Sequence, residues 1–286
     1  MGLRLAGRMI LLVTGARSGF GKLIAIEAAR RGHTVYAGLR DVSTAEEQLL
    51  PEAGGLSLTP VQLDVTSEAD RSAVVSRILA AHGRIDGLIN NAGIALGGFL
   101  EQVEDDELRK VFEVNVFGLW ALTRAVLPSM REQRSGSVVM VSSMSGRMAL
   151  PGLGVYAGSK HALEGMSEAW HHELRHFGIR VTLVEPGAYA TDIWNRNRHT
   201  SRNAHDPDSP YAELAAHLDK LVAGVVDRGA RDPQEVADVI CDLLDGKGGW
   251  TLRYPLGRDA RLRLFLKRFA PERAVNAIIH RLSRPR

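Results

Sequence analysis

The sequence predicts a doubly wound α/β fold, in which helices cover both faces of a parallel sheet of about seven strands. Short runs at residues 10–13, 138–141 and 181–184 carry apolar residues on both pleat faces, as strands buried on both faces must. Longer amphipathic stretches alternate with these runs from residue 9 to residue 254. No internal repeat or low-complexity linker interrupts the alternation, so we expect one main domain.

The order of the elements follows from the same periodicities. Strands are predicted where aliphatic and β-branched residues cluster, and helices where apolar residues recur every three or four positions. One helix start is especially clear, because Asp232 can cap it, Pro233 suits its first position and Glu235 can complete a capping box. The predicted strands are residues 9–13, 33–39, 56–63, 85–90, 137–142, 179–185 and 250–254, and the predicted helices are 21–31, 68–82, 105–131, 156–177, 211–226 and 233–244.

Composition excludes several classes of protein. The chain has 286 residues, of which 45% are hydrophobic, so it has enough apolar content to form a folded core. A single cysteine, Cys241, excludes a disulfide scaffold. The longest early apolar run, residues 9–13, is far shorter than the roughly 20 residues of a membrane-spanning helix. We predict a cytoplasmic protein with its main domain in residues 1–257.

The basic charge is concentrated in the remaining residues, 258–286. They carry a net charge of +7, whereas the whole chain carries only +3. Apolar residues such as Leu262, Phe265 and Phe269 stand among the arginines, which predicts a basic amphipathic helical extension. It could rest on an anionic membrane, or its apolar residues could cover the substrate cleft or the sheet edge while its arginines face solvent.

A glycine-rich loop follows the first predicted strand and opens the first helix. Glycines at this spacing let the backbone turn tightly and approach a pyrophosphate, which then lies at the helix N-terminus. The position of the loop, in the first strand–helix–strand unit, predicts a Rossmann-type dinucleotide site. Its predicted cofactor contacts are Gly15, Arg17, Ser18, Gly19, Phe20 and Gly21.

The end of the second strand indicates which dinucleotide binds. NAD sites usually place an acidic residue there, whereas a nearby arginine accommodates the 2′-phosphate of NADP. Leu39 occupies the acidic position, and Arg40 follows it. With Arg17 as a second cation, the pattern favours NADP(H). Asp41 keeps NAD possible, because a shift of one residue would bring its carboxylate to the ribose.

Three residues form a candidate catalytic group. Tyr156 and Lys160 are four positions apart and so share a helix face. A cation at that distance favours ionisation of a phenol, which would suit Tyr156 to exchange a proton with a substrate oxygen during hydride transfer. Ser143, at the end of the fifth strand, is placed to hydrogen-bond that oxygen.

Taken together, these motifs resemble the short-chain dehydrogenase/reductase family. The resemblance also rests on Asp64-Val65, the Asn90–Gly93 segment, Asn115 and the Pro186–Thr191 segment, all in the order and spacing of the family. It implies that Asn115 supports a proton relay through Lys160, which also holds the nicotinamide ribose. It further implies cofactor contacts from Asp64, Val65, Asn91, Ala92, Gly93, Tyr156, Lys160, Pro186, Gly187 and Thr191.

Segments 35–41 and 253–260 resemble the branch that contains 17β-hydroxysteroid and retinol dehydrogenases. This implies an apolar alcohol or carbonyl substrate, and the candidate substrate contacts are Ser143, Leu150 and Tyr189. The resemblance also suggests a homodimer, with helices 105–131 and 156–177 at the interface. We expect a small-molecule partner and no nucleic acid.

One further motif is typical of a different class of protein, the zinc proteases. His172 and His176 with Glu173 satisfy the His-Glu-x-x-His pattern of zinc proteases. Both histidines point away from the apolar stripe of their helix, and no third ligand follows at the expected spacing, so no metal is predicted.

The sequence therefore predicts an NADP(H)-dependent oxidoreductase that interconverts an alcohol with a ketone or aldehyde. The alternative is a cofactor-sensing regulatory or scaffolding protein on the same fold, which binds the nucleotide without turnover.

Overall fold

A parallel sheet of seven strands runs through the centre of the molecule, in the order β3-β2-β1-β4-β6-β7-β9. This computed structural model describes residues 7–189, 198–227 and 231–284. The strands of the main sheet are β1 (Ile10–Thr14), β2 (Thr34–Leu39), β3 (Leu58–Gln62), β4 (Gly87–Asn90), β6 (Gly136–Val141), β7 (Ile179–Pro186) and β9 (Arg253–Leu256). Two short strands, β5 (Ala95–Gly97) and β8 (Arg198–Thr200), pair separately.

Helices cover both faces of this sheet, as predicted. They are α1 (Gly19–Arg30), α2 (Ala45–Gln48), α3 (Leu50–Ala53), α4 (Glu68–His82), α5 (Asp105–Phe112), α6 (Leu119–Gln133), α7 (Gly154–Leu174), α8 (Ala212–Asp227), α9 (Gln234–Leu244), α10 (Arg258–Phe269) and α11 (Glu272–Ser283). Alternate residues of β1 enter different cores: Leu11 packs with residues of α1 and α9, and Leu12 with residues of α4, α6 and α7. The doubly wound fold and the C-terminal helical extension are thereby confirmed.

The strand order reverses between β1 and β4. In doubly wound sheets, ligands bind in the crevice at the carboxyl ends of the strands on either side of this reversal. Here the crevice lies between the loops that follow Thr14 and Asn90. The topology therefore places the glycine loop beside the Asn91–Gly93 segment.

The predicted helix at residues 105–131 is in fact interrupted. A π-helical turn, Glu113–Gly118, separates α5 from α6 and carries the fully buried Asn115. The backbone of this turn packs closely against Val65. A Cβ atom at Gly118 would lie only 2.7 Å from the Val65 carbonyl oxygen. Apolar periodicity does not reveal such a one-residue insertion, which is frequent at functional sites.

The same helical segment, Asp105–Gln133, is long and apolar enough to cross a membrane by length and composition alone. Half of its most apolar window is buried within the protein. Leu119, Leu122 and Val126 are fully buried in the core, so its apolar character reflects packing against the sheet.

The C-terminal extension is attached next to the last strand. That strand begins three residues later than predicted, at Arg253, because turns occupy residues 245–250. Ala260 of α10 is fully buried, and the carboxylate of Asp259 accepts a hydrogen bond from the Ala188 amide at 3.2 Å. The extension thus begins beside the Pro186–Gly187 segment. The proposed domain boundary at residue 257 stays a prediction.

Candidate active site

A cavity of about 660 Å³ opens at the carboxyl ends of the central strands. This volume is within the usual range of small-molecule and cofactor sites. Loops after six strands of the sheet, together with α7, contribute to its wall. Of the predicted cofactor and catalytic residues, those lining it are Gly15, Arg17, Ser18, Gly19, Phe20, Arg40, Asp64, Val65, Asn91, Ala92, Gly93, Ser143, Tyr156, Lys160, Pro186 and Gly187.

The glycine loop has the geometry that a dinucleotide requires. Gly15 and Gly19 have φ angles of +65° and +55°, in the left-handed region that favours glycine. A Cβ atom at Gly15 would lie 2.9 Å from the Cα atom of Ala92. Gly21 is not part of the cavity wall; a Cβ atom there would collide with the Gly15 carbonyl oxygen. Gly21 therefore permits the tight turn, and the N-terminus of α1 is left facing the cavity.

Hydrogen bonds fix this loop against the neighbouring one. The hydroxyl of Thr14 accepts hydrogen bonds from the amides of Asn91 and Ala92, both at 2.9 Å. The side-chain amide of Asn91 donates to the carbonyl of Thr14 at 2.9 Å. The cradle for a pyrophosphate is thus held in place by the protein itself, and the residues present fit a dinucleotide.

The end of β2 carries cations at the cavity wall. Leu39 is buried, while Arg40 and Asp41 are exposed and line the cavity. The Asp41 carboxylate already accepts hydrogen bonds from the amide and hydroxyl of Ser43, at 3.1 and 2.6 Å. These bonds, with the positive charge of Arg17, hold the pKa of Asp41 below its usual range. Asp41 therefore caps a local turn, and Arg17 and Arg40 place two positive charges in this part of the cavity wall.

Tyr156, Ser143 and Lys160 converge at the other end of the site. Burial raises the pKa of Tyr156 to about 12, and the nearby Ser143 side chain opposes this shift. This differs from the sequence-based expectation that Lys160 would lower it. The Lys160 ammonium lies 5.8 Å from the centre of the Tyr156 ring, and in the folded protein the phenol stays protonated at neutral pH.

Lys160 is itself almost fully buried. Its Nζ donates a hydrogen bond to the carbonyl of Val141 at 2.9 Å. Burial lowers the pKa of Lys160 to about 8, although the negative charge of Glu164 opposes the shift. The lysine is therefore mainly charged at neutral pH and loses its charge in mildly alkaline solution.

Asn115 lies beneath the cavity and is not part of its wall. Its Oδ1 accepts from the Ile94 amide at 2.8 Å, and its Nδ2 donates to the Ile94 carbonyl at 2.9 Å and to Ser159 at 3.0 Å. A Cβ atom at Gly93 would be 3.3 Å from Asn115 Oδ1 and 3.6 Å from Lys160 Nζ. Asn115 and Lys160 thus both lie next to Gly93.

The predicted substrate contacts have different surroundings. Tyr189 is buried and lines the cavity; its hydroxyl donates to Glu235 at 3.0 Å, so its ring is the part left for a ligand. Leu150 is half-buried in the loop before α7 and does not line the cavity. Thr191 lies outside the described residues.

Sequence reasoning missed several residues of the cavity wall. Lys110 and Glu113 come from α5 and the π-helical turn, and Ser142 precedes the predicted Ser143. The Ser142 hydroxyl is buried and has no hydrogen-bond partner among the described residues. Glu113 could have been predicted at the cavity wall only from the π-helical turn that it begins. That turn leaves no signal in apolar periodicity.

The zinc-protease motif has no metal-site geometry. His172 and His176 are both exposed. No group of three potential metal ligands occurs within residues 7–189, 198–227 and 231–284.

Comparison with known proteins assigns the family. A family model for short chain dehydrogenase matches residues 9–202. The chain belongs to the short-chain dehydrogenase family. An uncharacterized oxidoreductase of Bacillus subtilis, YusZ, is 37% identical to this short-chain dehydrogenase over 278 residues, which are 95% of this chain and 97% of the relative.

Two further relatives extend the comparison. Human retinol dehydrogenase 8 is 33% identical over 88% of this short-chain dehydrogenase and 81% of its own length. The crystal structure of a short-chain dehydrogenase from Streptomyces avermitilis has a TM-score of 0.77 and 35% identity, and covers 95% of this chain and 99% of its own. The protein is therefore an NAD(P)-dependent oxidoreductase with a Rossmann-type fold.

Proposed function

We propose that this short-chain dehydrogenase is an NADP(H)-dependent enzyme that interconverts an apolar alcohol with its ketone or aldehyde, with Tyr156 as the acid/base. The observation that carries this proposal is that Tyr156, Ser143 and Lys160 meet at the wall of one cavity with the glycine loop, with Lys160 Nζ 5.8 Å from the centre of the Tyr156 ring. Pure nucleotide binding does not need this group of side chains, so the cofactor-sensing alternative is not favoured.

In the reductive direction, Tyr156 donates its proton to the carbonyl oxygen of the substrate. The nicotinamide, when bound, supplies the hydride to the carbonyl carbon. Because burial keeps the phenol protonated at neutral pH, the proton is available when negative charge develops on the oxygen. Ser143 hydrogen-bonds the same oxygen and orients the substrate.

Lys160 acts on the negative charge that Tyr156 carries after its proton has left. Its ammonium, 5.8 Å from the Tyr156 ring, stabilises the phenolate and would bind the nicotinamide ribose. We propose that Asn115 supports a water-mediated proton relay to Lys160. The nearness of both side chains to Gly93 supports this relay.

The preference for NADP(H) rests on the end of β2. Leu39 offers no carboxylate to ribose hydroxyls, and the carboxylate of Asp41 is engaged by Ser43. Arg40 and Arg17 both line the cavity there and would accommodate a 2′-phosphate.

An apolar substrate is supported by the ring of Tyr189 at the cavity wall and by the similarity to human retinol dehydrogenase 8. We expect kcat/KM for NADPH-dependent reduction to rise with chain length in a series of straight-chain 2-ketones from four to twelve carbons. Each added methylene buried in an apolar site contributes about 0.8 kcal/mol, or roughly a fourfold gain. If kcat/KM is the same for all members of the series, the apolar substrate is contradicted. If the protein reduces none of these ketones, no steroid and no retinal, the proposed activity is contradicted.

A homodimer is the proposed assembly. Leu108, Phe117 and Trp120 are exposed large apolar residues on the segment that the family resemblance places at a dimer interface. Burial of these side chains against a second copy would remove them from water.

The basic extension is proposed to rest on an anionic membrane surface in the cytoplasm. On α10, Leu262, Phe265 and Phe269 are 58%, 59% and 65% exposed and lie along one side of the helix among its arginines. In flotation assays of the full chain, we expect binding to vesicles with anionic lipid, abolished by Phe265→Ser with Phe269→Ser and kept in Leu50→Ser, a change at an exposed leucine elsewhere. Equal flotation of all three proteins, or of none, would contradict this contact.

A further inference from the structure

Two buried carboxyl groups stand side by side next to Lys160. Glu164 lies one helical turn after Lys160 on α7, and Glu185 lies near the end of β7. The two residues are 5% and 0% exposed, and Arg253 Nε lies 3.0 Å from Glu164 Oε2 and 3.5 Å from Glu185 Oε1, so both carboxyl groups meet at one guanidinium. Buried like charges at this distance repel strongly, so such a pair favours holding a proton.

The surrounding arginines satisfy only half of each carboxyl group. Arg147 donates to Glu185 Oε1 at 2.9 Å, and Arg253 donates to Glu164 Oε2 at 3.0 Å. The two other oxygens, Glu164 Oε1 and Glu185 Oε2, are buried and have no hydrogen-bond partner among the described residues. A proton held between the two carboxyls would give both oxygens a partner, which removes the cost of leaving them unpaired.

Electrostatics connects this pair to Lys160. Burial and the charge of Glu164 raise the pKa of Glu185 well above its usual range. The charge of Glu164 also favours the protonated form of Lys160, against the burial that lowers its pKa to about 8. Glu164 is therefore coupled to its partner on β7 and to the lysine on its own helix.

Other charged groups reach the same cluster from neighbouring elements. Glu168, also on α7, accepts a hydrogen bond from Arg253 at 2.8 Å and is half exposed, and His172 stands near it. From α10, Lys267 donates a hydrogen bond to the carbonyl of Arg147. In the outer part of the cluster, these charged groups pair with one another. The acidic side chain that favours the charged form of Lys160 is Glu164.

We propose that Glu164 and Glu185 form a proton-sharing carboxyl pair that serves as the counter-ion of Lys160 and so positions the charge needed for proton transfer at Tyr156. This inference rests on the proposed role of Lys160 in the reaction. Neither glutamate touches the cavity, so both are positioning residues that act through the lysine.

The counter-ion role is tested with Glu164→Gln, which keeps the side-chain shape and removes the charge. We expect the apparent pKa of Lys160, measured by competitive labelling with acetic anhydride and mass spectrometry, to fall by about one unit. The alkaline limb of the pH profile of kcat/KM should move down by the same amount. The matched control is Glu168→Gln, which removes a carboxylate that binds the same arginine from the same helix, and it should move neither quantity.

The shared proton is tested with Glu185→Gln, which resembles the permanently protonated form. A buried carboxyl with a raised pKa holds its proton in the folded state while the unfolded chain loses it, so the wild type loses stability as pH rises through that window. The Tm of the wild type minus that of Glu185→Gln should therefore fall as the pH rises above about 4.5, the pH range in which an ordinary glutamate loses its proton. A flat difference would overturn proton sharing.

The two readouts separate this inference from the proposed function. Labelling of Lys160 does not depend on turnover, so a shifted Lys160 pKa without activity on any carbonyl would contradict the proposed function alone. Turnover with an unshifted Lys160 pKa and an unmoved alkaline limb in Glu164→Gln would overturn the counter-ion role.

Discussion

Replacing Tyr156 with phenylalanine is expected to lower kcat for NADPH-dependent carbonyl reduction by a factor of about 10³ or more. The substitution removes the hydroxyl beside Ser143 and leaves the ring in its buried position. Without it, the substrate oxygen has no proton donor as its negative charge develops. The NADPH Kd, measured by the quenching of protein fluorescence, should stay within about threefold, because phosphate binding involves the glycine loop and not the phenol.

A matched control is available at Tyr36. This tyrosine is also buried, and its hydroxyl is hydrogen-bonded to His82 at 2.9 Å, but it does not line the cavity. Tyr36→Phe should leave kcat unchanged within about twofold. Activity of Tyr156→Phe within tenfold of the wild type would show that another group supplies the proton.

Replacing Arg40 with alanine is expected to reduce the preference for NADPH over NADH by roughly 10- to 100-fold. A charge-assisted hydrogen bond to phosphate contributes about 1.5–3 kcal/mol, and each 1.4 kcal/mol corresponds to about a factor of ten in Kd. Arg17 remains at the cavity wall, so some preference should survive. The measurement is Kd for NADPH and NADH on the same preparations.

Arg40→Lys provides the control for this second prediction. A lysine keeps the positive charge but loses the planar fork of donors, so it should retain part of the NADPH preference. The affinity for NADH should be the same in all three proteins. If Arg40→Ala raises Kd for NADPH and for NADH by the same factor, Arg40 does not recognise the 2′-phosphate.

Much of the fold could be predicted because its signals are local. Runs of apolar residues on both pleat faces mark strands such as β1 and β7, and the spacing of glycines marks the turn between β1 and α1. The positions of Tyr156 and Lys160 follow from helical geometry, and the end of β6 brings Ser143 to Tyr156. These features depend on residues close together in the sequence.

Features that depend on tertiary packing were not predictable in the same way. The π-helical turn that holds Asn115 is accompanied by close packing of Gly118 against the Val65 carbonyl. The pKa of Tyr156 was expected to fall because Lys160 is near, yet burial raises it. The carboxyl pair of Glu164 and Glu185 joins two residues on different elements, and neither belongs to a motif.

The most direct test of the central claim uses the 2-ketone series with NADPH that carries deuterium at the transferred position of the nicotinamide. If this chain reduces carbonyl groups by hydride transfer with Tyr156 as proton donor, mass spectrometry will find a single deuterium in the alcohol, bound to the former carbonyl carbon, for wild type. Tyr156→Phe will form almost no labelled alcohol. Alcohol without the label, or labelled alcohol formed equally well by Tyr156→Phe, would contradict the account.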